Sequence, residues 1–439
     1  MSGTATIYAL ASAPGRAGIA VIRVSGDGAA SVLQLLLGSQ RFPEPRRAAL
    51  RRIEDRAGAT IDRGVVLWFP GPGSYTGEDL FELQLHGGRA VVADTLEALS
   101  QLADCRLAEP GEFSRRAFAN NRLDLTQVEA VADLIDAETT AQRRQALRQL
   151  DGALGALYER WRLGVLTALA HVEASIDFIE EDLPEDLWLR QRGLVSGLRA
   201  EIGEHLADGR RGERLRSGVS VAIVGPPNAG KSSLLNALAR RDVAIVAETA
   251  GTTRDVIEVH LDLAGYPVIV ADTAGLRDAA EAVEREGVRR ALLRAEQADL
   301  RLVVVDGTEH GAATAMAHLL GPDSILVRNK SDLGGSGEGS GFAVSAATGD
   351  GMAELLERLA TEVAARAGSG ESLLLTTARH REALESCASF LDEALQDEPA
   401  LEERAEALRL AARALGRITG RVDVEDMLDL IFADFCIGK

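Results

Sequence analysis

Ser220-Val-Ala-Ile-Val-Gly225-Pro-Pro-Asn228-Ala229-Gly230-Lys231-Ser232-Ser233-Leu-Leu-Asn-Ala-Leu238 is the stretch that decides the fold. After Ser220 the next four residues are apolar without interruption, and the stretch reads as a buried parallel strand. The strand enters a glycine-rich turn, and a leucine-rich segment of helical character follows. Strand, glycine loop and helix form the context in which this motif cradles phosphate. Backbone N–H groups of Asn228, Ala229 and Gly230, with the helix N-terminus, suit a β-phosphate. Lys231 is expected at the β- and γ-phosphates and the Ser232 hydroxyl at Mg²⁺, with Ser233 carrying the loop into the helix.

Further motifs follow in the order a nucleotide site requires. The polar run Ala247-Glu248-Thr249-Ala250-Gly251-Thr252-Thr253 supplies Thr253 as a second Mg²⁺ hydroxyl and γ-phosphate sensor. Asp272-Thr273-Ala274-Gly275 follows the apolar strand beginning at Val268; Asp272 suits water-mediated Mg²⁺ binding and the Gly275 N–H suits the γ-phosphate. Asn329-Lys330-Ser331-Asp332 follows Ile325-Leu-Val. Asp332 can accept from guanine N1–H and N2–H₂, a donor pair that adenine lacks, while Lys330 can lie over the ring. Ser345-Ala346-Ala347 brings a backbone N–H to guanine O6. The segment therefore reads as a Ras-like α/β GTPase. Leu276 stands where Ras-type enzymes carry a water-orienting glutamine, so another group must orient water. Asp278, Glu281 and Glu284 are acidic candidates, and spacing does not choose among them. Asn228 can ligate a monovalent cation that offsets phosphate charge, or can simply brace the turn.

The chain uses only three lysines, Lys231, Lys330 and Lys439, among 48 basic residues. Two of them fall inside nucleotide motifs, where a compact ammonium and a planar guanidinium are not equivalent. The net charge of −19 argues against broad, nonspecific nucleic-acid binding. Two arginine groups, Arg115-Arg116 with Arg122 and Arg210-Arg211 with Arg214 and Arg216, are expected to be solvated helix faces. Cys105, Cys387 and Cys436 are widely separated and form neither a disulfide framework nor a C-x-x-C site. No apolar run reaches about 18 residues and the N-terminus lacks a secretory pattern, so a cytoplasmic protein is expected.

At 439 residues the chain is expected to hold two or three domains. Residues 1–118 read as mixed α/β, with strands at Ile19–Ser25, Gly64–Phe69 and Phe81–His86 and a helix over Val91–Leu102. Residues 119–215 and 369–439 are helical, and 216–368 form the α/β segment between them. The fold class is therefore multidomain α+β and α/β, with a P-loop domain inserted into a helical one. Two separate helical domains are the alternative.

Outside the nucleotide motifs the chain carries Ala13-Pro-Gly-Arg-Ala-Gly-Ile-Ala, Ile22-Arg-Val-Ser-Gly, Tyr75-Thr-Gly-Glu-Asp, Glu109-Pro-Gly-Glu-Phe-Ser-Arg-Arg-Ala-Phe, Leu123-Asp-Leu-Thr-Gln and Phe435-Cys-Ile-Gly-Lys. With these marks the chain resembles, across its whole length, the MnmE (TrmE) family of tRNA modification GTPases. The resemblance implies an N-terminal folate-binding domain that forms a homodimer, with a 5-formyltetrahydrofolate-like cofactor at Arg23, Glu82, Arg122 and Lys439. Several relatives carry lysine at the position of Arg122. It implies K⁺ held by Asn228 and by backbone at Ala247, Thr249 and Thr252, and it selects Glu284 as the water-orienting residue. The implied reaction installs an aminomethyl or carboxymethylaminomethyl group at C5 of a tRNA wobble uridine. The implied partner is MnmG, which brings FAD and NADH in a heterotetramer-type complex. Cys436 matches the family's terminal cysteine, as a participant in the chemistry or as a structural thiol where the tail docks. The alternative function is a regulatory RNA- or ribosome-binding GTPase without modification chemistry.

Overall fold

The computed structural model describes residues 5–177, 187–241, 243–245, 258–272, 297–334, 340–368, 375–397, 400–422, 428, 431–432, 435 and 437–438. The chain divides into two compact units, one of Met1–Ala132 with Gly416–Lys439 and one of Asp133–Leu415. Among the described residues no helix is long and apolar enough to cross a membrane.

The first unit is built on a six-stranded sheet. Its strands are β1 (Thr6–Leu10), β2 (Ala17–Ser25), β3 (Ala49–Glu54), β4 (Thr60–Phe69), β5 (Leu80–Gly87) and β6 (Cys105–Leu107). They lie in the order β3-β4-β5-β2-β1-β6, antiparallel except for the parallel pair β1·β6. Alternation drives this arrangement: along β2, Ile22 and Val24 point inward, and along β5 Phe81, Leu83 and Leu85 do the same. Helices Ala29–Leu37 and Arg89–Ser100 cover that face, adding Leu33, Leu37 and Leu99 to the core. Ile7, Ala9 and Phe113 form a smaller cluster of their own. The C-terminal segment of the chain returns to this unit. Phe432 and Phe435 pack with Val128, and Ile437 bridges antiparallel to Pro110.

The second unit contains a seven-stranded sheet: β7 (Val219–Val224), β8 (Ala244–Ile245), β9 (Glu258–Leu263), β10 (Tyr266–Asp272), β11 (Leu300–Asp306), β12 (Ser324–Asn329) and β13 (Phe342–Ala343). The order is β13-β12-β11-β7-β10-β9-β8, parallel from β13 to β10, with β9 and β8 antiparallel at one edge. The four central strands are near-continuous apolar runs, as a sheet covered on both faces demands. Helices Lys231–Ala239 and Met352–Ala367 add Leu234, Leu238, Leu355 and Leu359 to its core.

Helices from both flanks of this sheet pack on each other within the same unit. Ala378–Ala394 lies against Leu187–Leu206, with ion pairs Arg199–Asp392 at 2.9 Å and Arg192–Asp397 at 2.8 Å. Asp299 ties the helices to the sheet. It accepts from Arg214 Nε at 2.6 Å on one oxygen, and from the Ser220 N–H and hydroxyl at 3.0 and 2.8 Å on the other. Arg381 is a second tie: its guanidinium reaches Asp208 at 2.7 Å, Glu213 at 2.6 Å and the Leu206 carbonyl at 3.0 Å. The described ends of the expected linker 367–372 are Ala367 and Gly368, and most of the Gly334–Gly341 loop lies outside the described residues.

Arg381 and Asp208 are nearly buried, whereas Arg192 and Asp397 are open to water. Removing one partner of a buried pair leaves an uncompensated charge and costs about 3–5 kcal/mol; breaking an exposed pair costs about 0–1 kcal/mol. Arg381→Ala should therefore lower the unfolding midpoint strongly in calorimetry, and Arg192→Ala should barely move it.

Candidate functional site

The C-terminal ends of β7, β10, β11 and β12 converge, the position where an open parallel sheet binds ligands. β7 runs into the loop Gly225–Gly230, and the helix Lys231–Ala239 begins immediately after. Gly225 has φ +149, and a Cβ there would sit 2.0 Å from the Val304 carbonyl oxygen. Only glycine lets the loop leave the sheet at this point. Lys231 is buried, and its Nζ donates to the carbonyls of Gly225 and Pro226 at 2.9 Å each. The ammonium is thus held inside the curl of the loop. Asn228 is exposed at its tip with φ +64, and Ser232 is exposed in the first helical turn.

One carboxamide joins this loop to the next two. Asn329 Nδ2 donates to the Ala229 carbonyl at 3.0 Å and more weakly to that of Gly230 at 3.4 Å. Its Oδ1 accepts from the Ala346 N–H at 3.1 Å. A Cβ on Gly230 would lie 2.1 Å from Asn329 Nδ2, so the close approach requires glycine there. Lys330 has φ +66 and directs its Nζ to Asp306 at 2.6 Å. Asp332 is exposed, Ser331 N–H donates to the Val344 carbonyl, and buried Ser345 and exposed Ala347 flank Ala346. Asp272 ends β10 in register with Ile223 of β7, which sets its backbone beside the strand that feeds the loop. Ala247–Thr253, Thr273, Ala274, Gly275, Asp278, Glu281 and Glu284 lie outside the described residues, as do Cys436 and Lys439.

In the first unit, Arg23 on β2 and Glu82 on β5 are direct cross-strand partners. The guanidinium reaches Glu82 Oε1 through Nε at 3.0 Å and Nη2 at 2.9 Å, and both side chains are mostly covered. Tyr75 and Phe113 lie against the guanidinium at 5.3 and 5.7 Å from their ring centres. Arg23 Nη1 also donates to the Gly438 carbonyl at 3.3 Å, so the tail meets the sheet at this arginine. Arg122 is exposed, with its stem beside Gly77.

Beneath this pair is an ionic network. Arg116 donates to Glu78 at 3.0 Å, to Glu112 at 3.0 Å and to the Ala5 carbonyl at 2.8 Å. Arg106 grips Glu112 through two nitrogens at 2.6 and 2.7 Å, and Ser25 donates to Glu78 at 2.9 Å. Arg116 is buried rather than part of a solvated helix face, because Glu78 and Glu112 supply its counter-charge inside the fold. Arg210, Arg211 and Arg216 are exposed, as a solvated face requires, with Arg216 reaching Asp133 at 2.6 Å, whereas Arg214 is partly covered and pairs with Asp299 at 2.6 Å.

The comparisons with known proteins cover nearly the whole chain. Residues 6–122 match the family model described as the GTP-binding protein TrmE N-terminus, and 125–436 match the MnmE helical domain. The tRNA modification GTPase MnmE of Parvibaculum lavamentivorans is 57% identical over 438 residues, covering 99% of this chain and all of that one. That of Paramagnetospirillum magneticum is 55% identical, with 99% of each chain covered. The human mitochondrial 5-taurinomethyluridine-[tRNA] synthase subunit GTPB3 is 50% identical, covering 99% of this chain and 93% of that protein.

The chain belongs to the MnmE family of tRNA modification GTPases. It is a GTP-hydrolysing enzyme of tRNA modification, and its α/β segment is the P-loop GTPase that the opening motif announced. The MnmE signatures Tyr75–Asp79 and Glu109–Phe118 acquire a physical meaning here: Glu78, Glu112 and Arg116 are members of one network. The sequence reading missed this network, since a buried ion cluster leaves no periodic signal. Its only trace was polar residues inside family signatures. Cys387 is fully buried, and burial pushes its thiol up to about 12, which suits an inert structural cysteine.

Burial raises the Glu112 carboxyl pKa, but hydrogen bonds from Arg106, the Glu109 N–H and Arg116 outweigh it and leave it below its ordinary 4.5. A depressed carboxyl stabilises the fold above its unfolded pKa and loses that contribution as pH falls through the lower folded value. Glu112→Gln should therefore be less stable than the parent at neutral pH. Its chemical-denaturation midpoint should also fall less steeply than the parent's as pH drops below about 4.3.

Proposed function

We propose that this chain hydrolyses GTP to drive modification of tRNA wobble uridine at C5, installing an aminomethyl or carboxymethylaminomethyl group. The division of labour follows the segments: 1–118 for folate binding and homodimerisation, 119–215 and 369–439 for the helical domain and terminal motif, and 216–368 for GTP. The partner is the FAD-dependent MnmG, through which FAD and NADH enter, and the compartment is the cytoplasm, where its tRNA substrate is found.

GTP is assigned to Asn228–Ser233, Ala247–Thr253, Asp272–Gly275, Asn329–Asp332 and Ser345–Ala347. What supports this is the Asn329 clamp, which draws the first, fourth and fifth of these segments together. Ser232, Thr253 and Asp272 are hard oxygen donors of the kind Mg²⁺ takes, and Ser232 and Asp272 sit at adjoining strand and helix ends. Asn228, whose exposed amide lies at the loop tip, is assigned to K⁺ with the backbone at Ala247, Thr249 and Thr252. The cation supplies positive charge at the phosphates in place of an arginine finger. Glu284 is assigned to the attacking water. Folate is assigned to Arg23, Glu82, Arg122 and Lys439. The observation that supports the modification half is the Arg23–Gly438 hydrogen bond, because Gly438 belongs to the terminal motif and meets the arginine that pairs with Glu82 on the N-terminal sheet. Cys436 takes part in the chemistry there.

Mass spectrometry of wobble nucleosides from a strain lacking this gene should show loss of the C5 modification. Unchanged nucleosides would overturn the modification reading and leave a regulatory GTPase. Separately, GTP turnover should rise in K⁺ relative to Na⁺ at equal ionic strength, and Asn228→Ala should abolish the difference. Equal turnover of the parent in the two salts excludes the potassium assignment.

A further inference from the structure

We propose that Asp306 is a positioning residue for guanine recognition, acting through Lys330. The proposal rests on the reading of Lys330 as the side chain that lies over the guanine ring. Asp306 ends β11 and pairs in register with Asn329, the last residue of β12, so it stands next to the strand that delivers Lys330. Its Oδ2 accepts from Lys330 Nζ at 2.6 Å. Its Oδ1 accepts from the Thr308 hydroxyl at 2.6 Å and the Thr308 N–H at 2.9 Å. The Gly307 N–H donates to the Asn329 carbonyl at 2.7 Å, which locks the two strand ends together just beyond the sheet. Both carboxylate oxygens are thus committed, one to the lysine and one to the turn that fixes the carboxylate.

A lysine stem has four rotatable carbons, and an unanchored one samples many rotamers. The stem of Lys330 is pinned at both ends. At one end the backbone is held in the left-handed region at φ +66, and at the other Nζ is held by Asp306. Between the two anchors the methylene chain is held in one course, and Asp332, which would read the guanine donors, follows two residues on and is exposed. Asp306 stays ionised through this work: the Lys330 and Thr308 hydrogen bonds hold its carboxyl at about 2. Asp306 has no motif spacing to Lys330, because the pair is made by strand register across 24 residues.

The test is a double-mutant cycle on the full chain, reading the GDP dissociation constant by titration calorimetry and kcat and KM for GTP. Lys330→Ala weakens GDP binding. Asp306→Asn weakens it about fivefold, as expected for loss of a partly covered ion pair. The double variant binds no more weakly than Lys330→Ala alone, because both changes remove the same anchored stem. KM for GTP rises in Asp306→Asn while kcat at saturation stays within about twofold. If the two losses add in full, Asp306 acts independently of Lys330 and the proposal is wrong. If Lys330→Ala leaves GDP binding untouched, the guanine role of Lys330 fails first and takes the proposal with it. Should Asp306→Asn not fold, Thr308→Val loosens the carboxylate instead. Its smaller KM rise should vanish in the Lys330→Ala background, and persistence there overturns the proposal.

Discussion

The loops at the C-terminal edge of the seven-stranded sheet depend on the side chain of Asn329. Its amide donates into the phosphate-loop backbone and its oxygen accepts from the segment at Ala346, with the residue only 2% exposed. No other small side chain fits both roles. Aspartate at that place would have no donor and would face two carbonyls; leucine would leave the Ala229 carbonyl and the Ala346 N–H unpaired, at a cost of about 1–3 kcal/mol each. The clamp needs two further conditions, both set by the backbone. Gly230 must lack a Cβ, and β11 and β12 must end level. A one-residue slip of register would point Asn329 to the opposite face of the sheet.

The first unit solves a comparable problem with charge instead of a neutral amide. Arg116 holds Glu78 and Glu112 at once, and so fixes the 74–78 turn relative to the helix that starts at Glu112. The rings that flank Arg23 come from those same two segments, Tyr75 from the turn and Phe113 from the helix, and Tyr75 and Ser114 share a hydrogen bond at 2.7 Å. Burying such a network gains little net stability, because desolvation offsets most of the attraction. Its value lies in geometry, since every carboxylate oxygen it engages has a defined donor. An apolar replacement would fill the space without orienting the Tyr75 and Phe113 rings around the guanidinium.

How much was legible follows from how local each feature is. The strands at Ile19, Gly64 and Phe81 announced themselves by alternation, and the structure extends each by a residue or more at one end or both. The phosphate loop and the Asn329–Asp332 motif were legible because one short segment carries its own chemistry. β1 and the three-residue β6 were missed, being short segments whose parallel pairing joins residues about a hundred positions apart. Arg116 looked like part of a surface cluster because its partners lie 38 residues back and four residues back on the same helix, and composition counts arginines without saying what faces them. The return of Phe435 and Ile437 to Val128 and Pro110 has no sequence signature beyond the terminal motif itself.

The few lysines can now be set against the many arginines by what each cation faces. Arg23, Arg106, Arg116, Arg214 and Arg381 all meet carboxylates, often through two nitrogens, which suits a planar fork. Lys231 meets two backbone carbonyls inside a tight curl, where a compact ammonium fits and a fork does not. Lys330 breaks this division, because its partner Asp306 is a carboxylate that a guanidinium could equally engage. The partner therefore does not explain the lysine at 330, and the requirement must lie along the stem. On the proposed guanine reading, a narrow methylene chain between a left-handed backbone and a fixed carboxylate would lie along the flat base. A guanidinium there would set a second polar plane against the proposed base position.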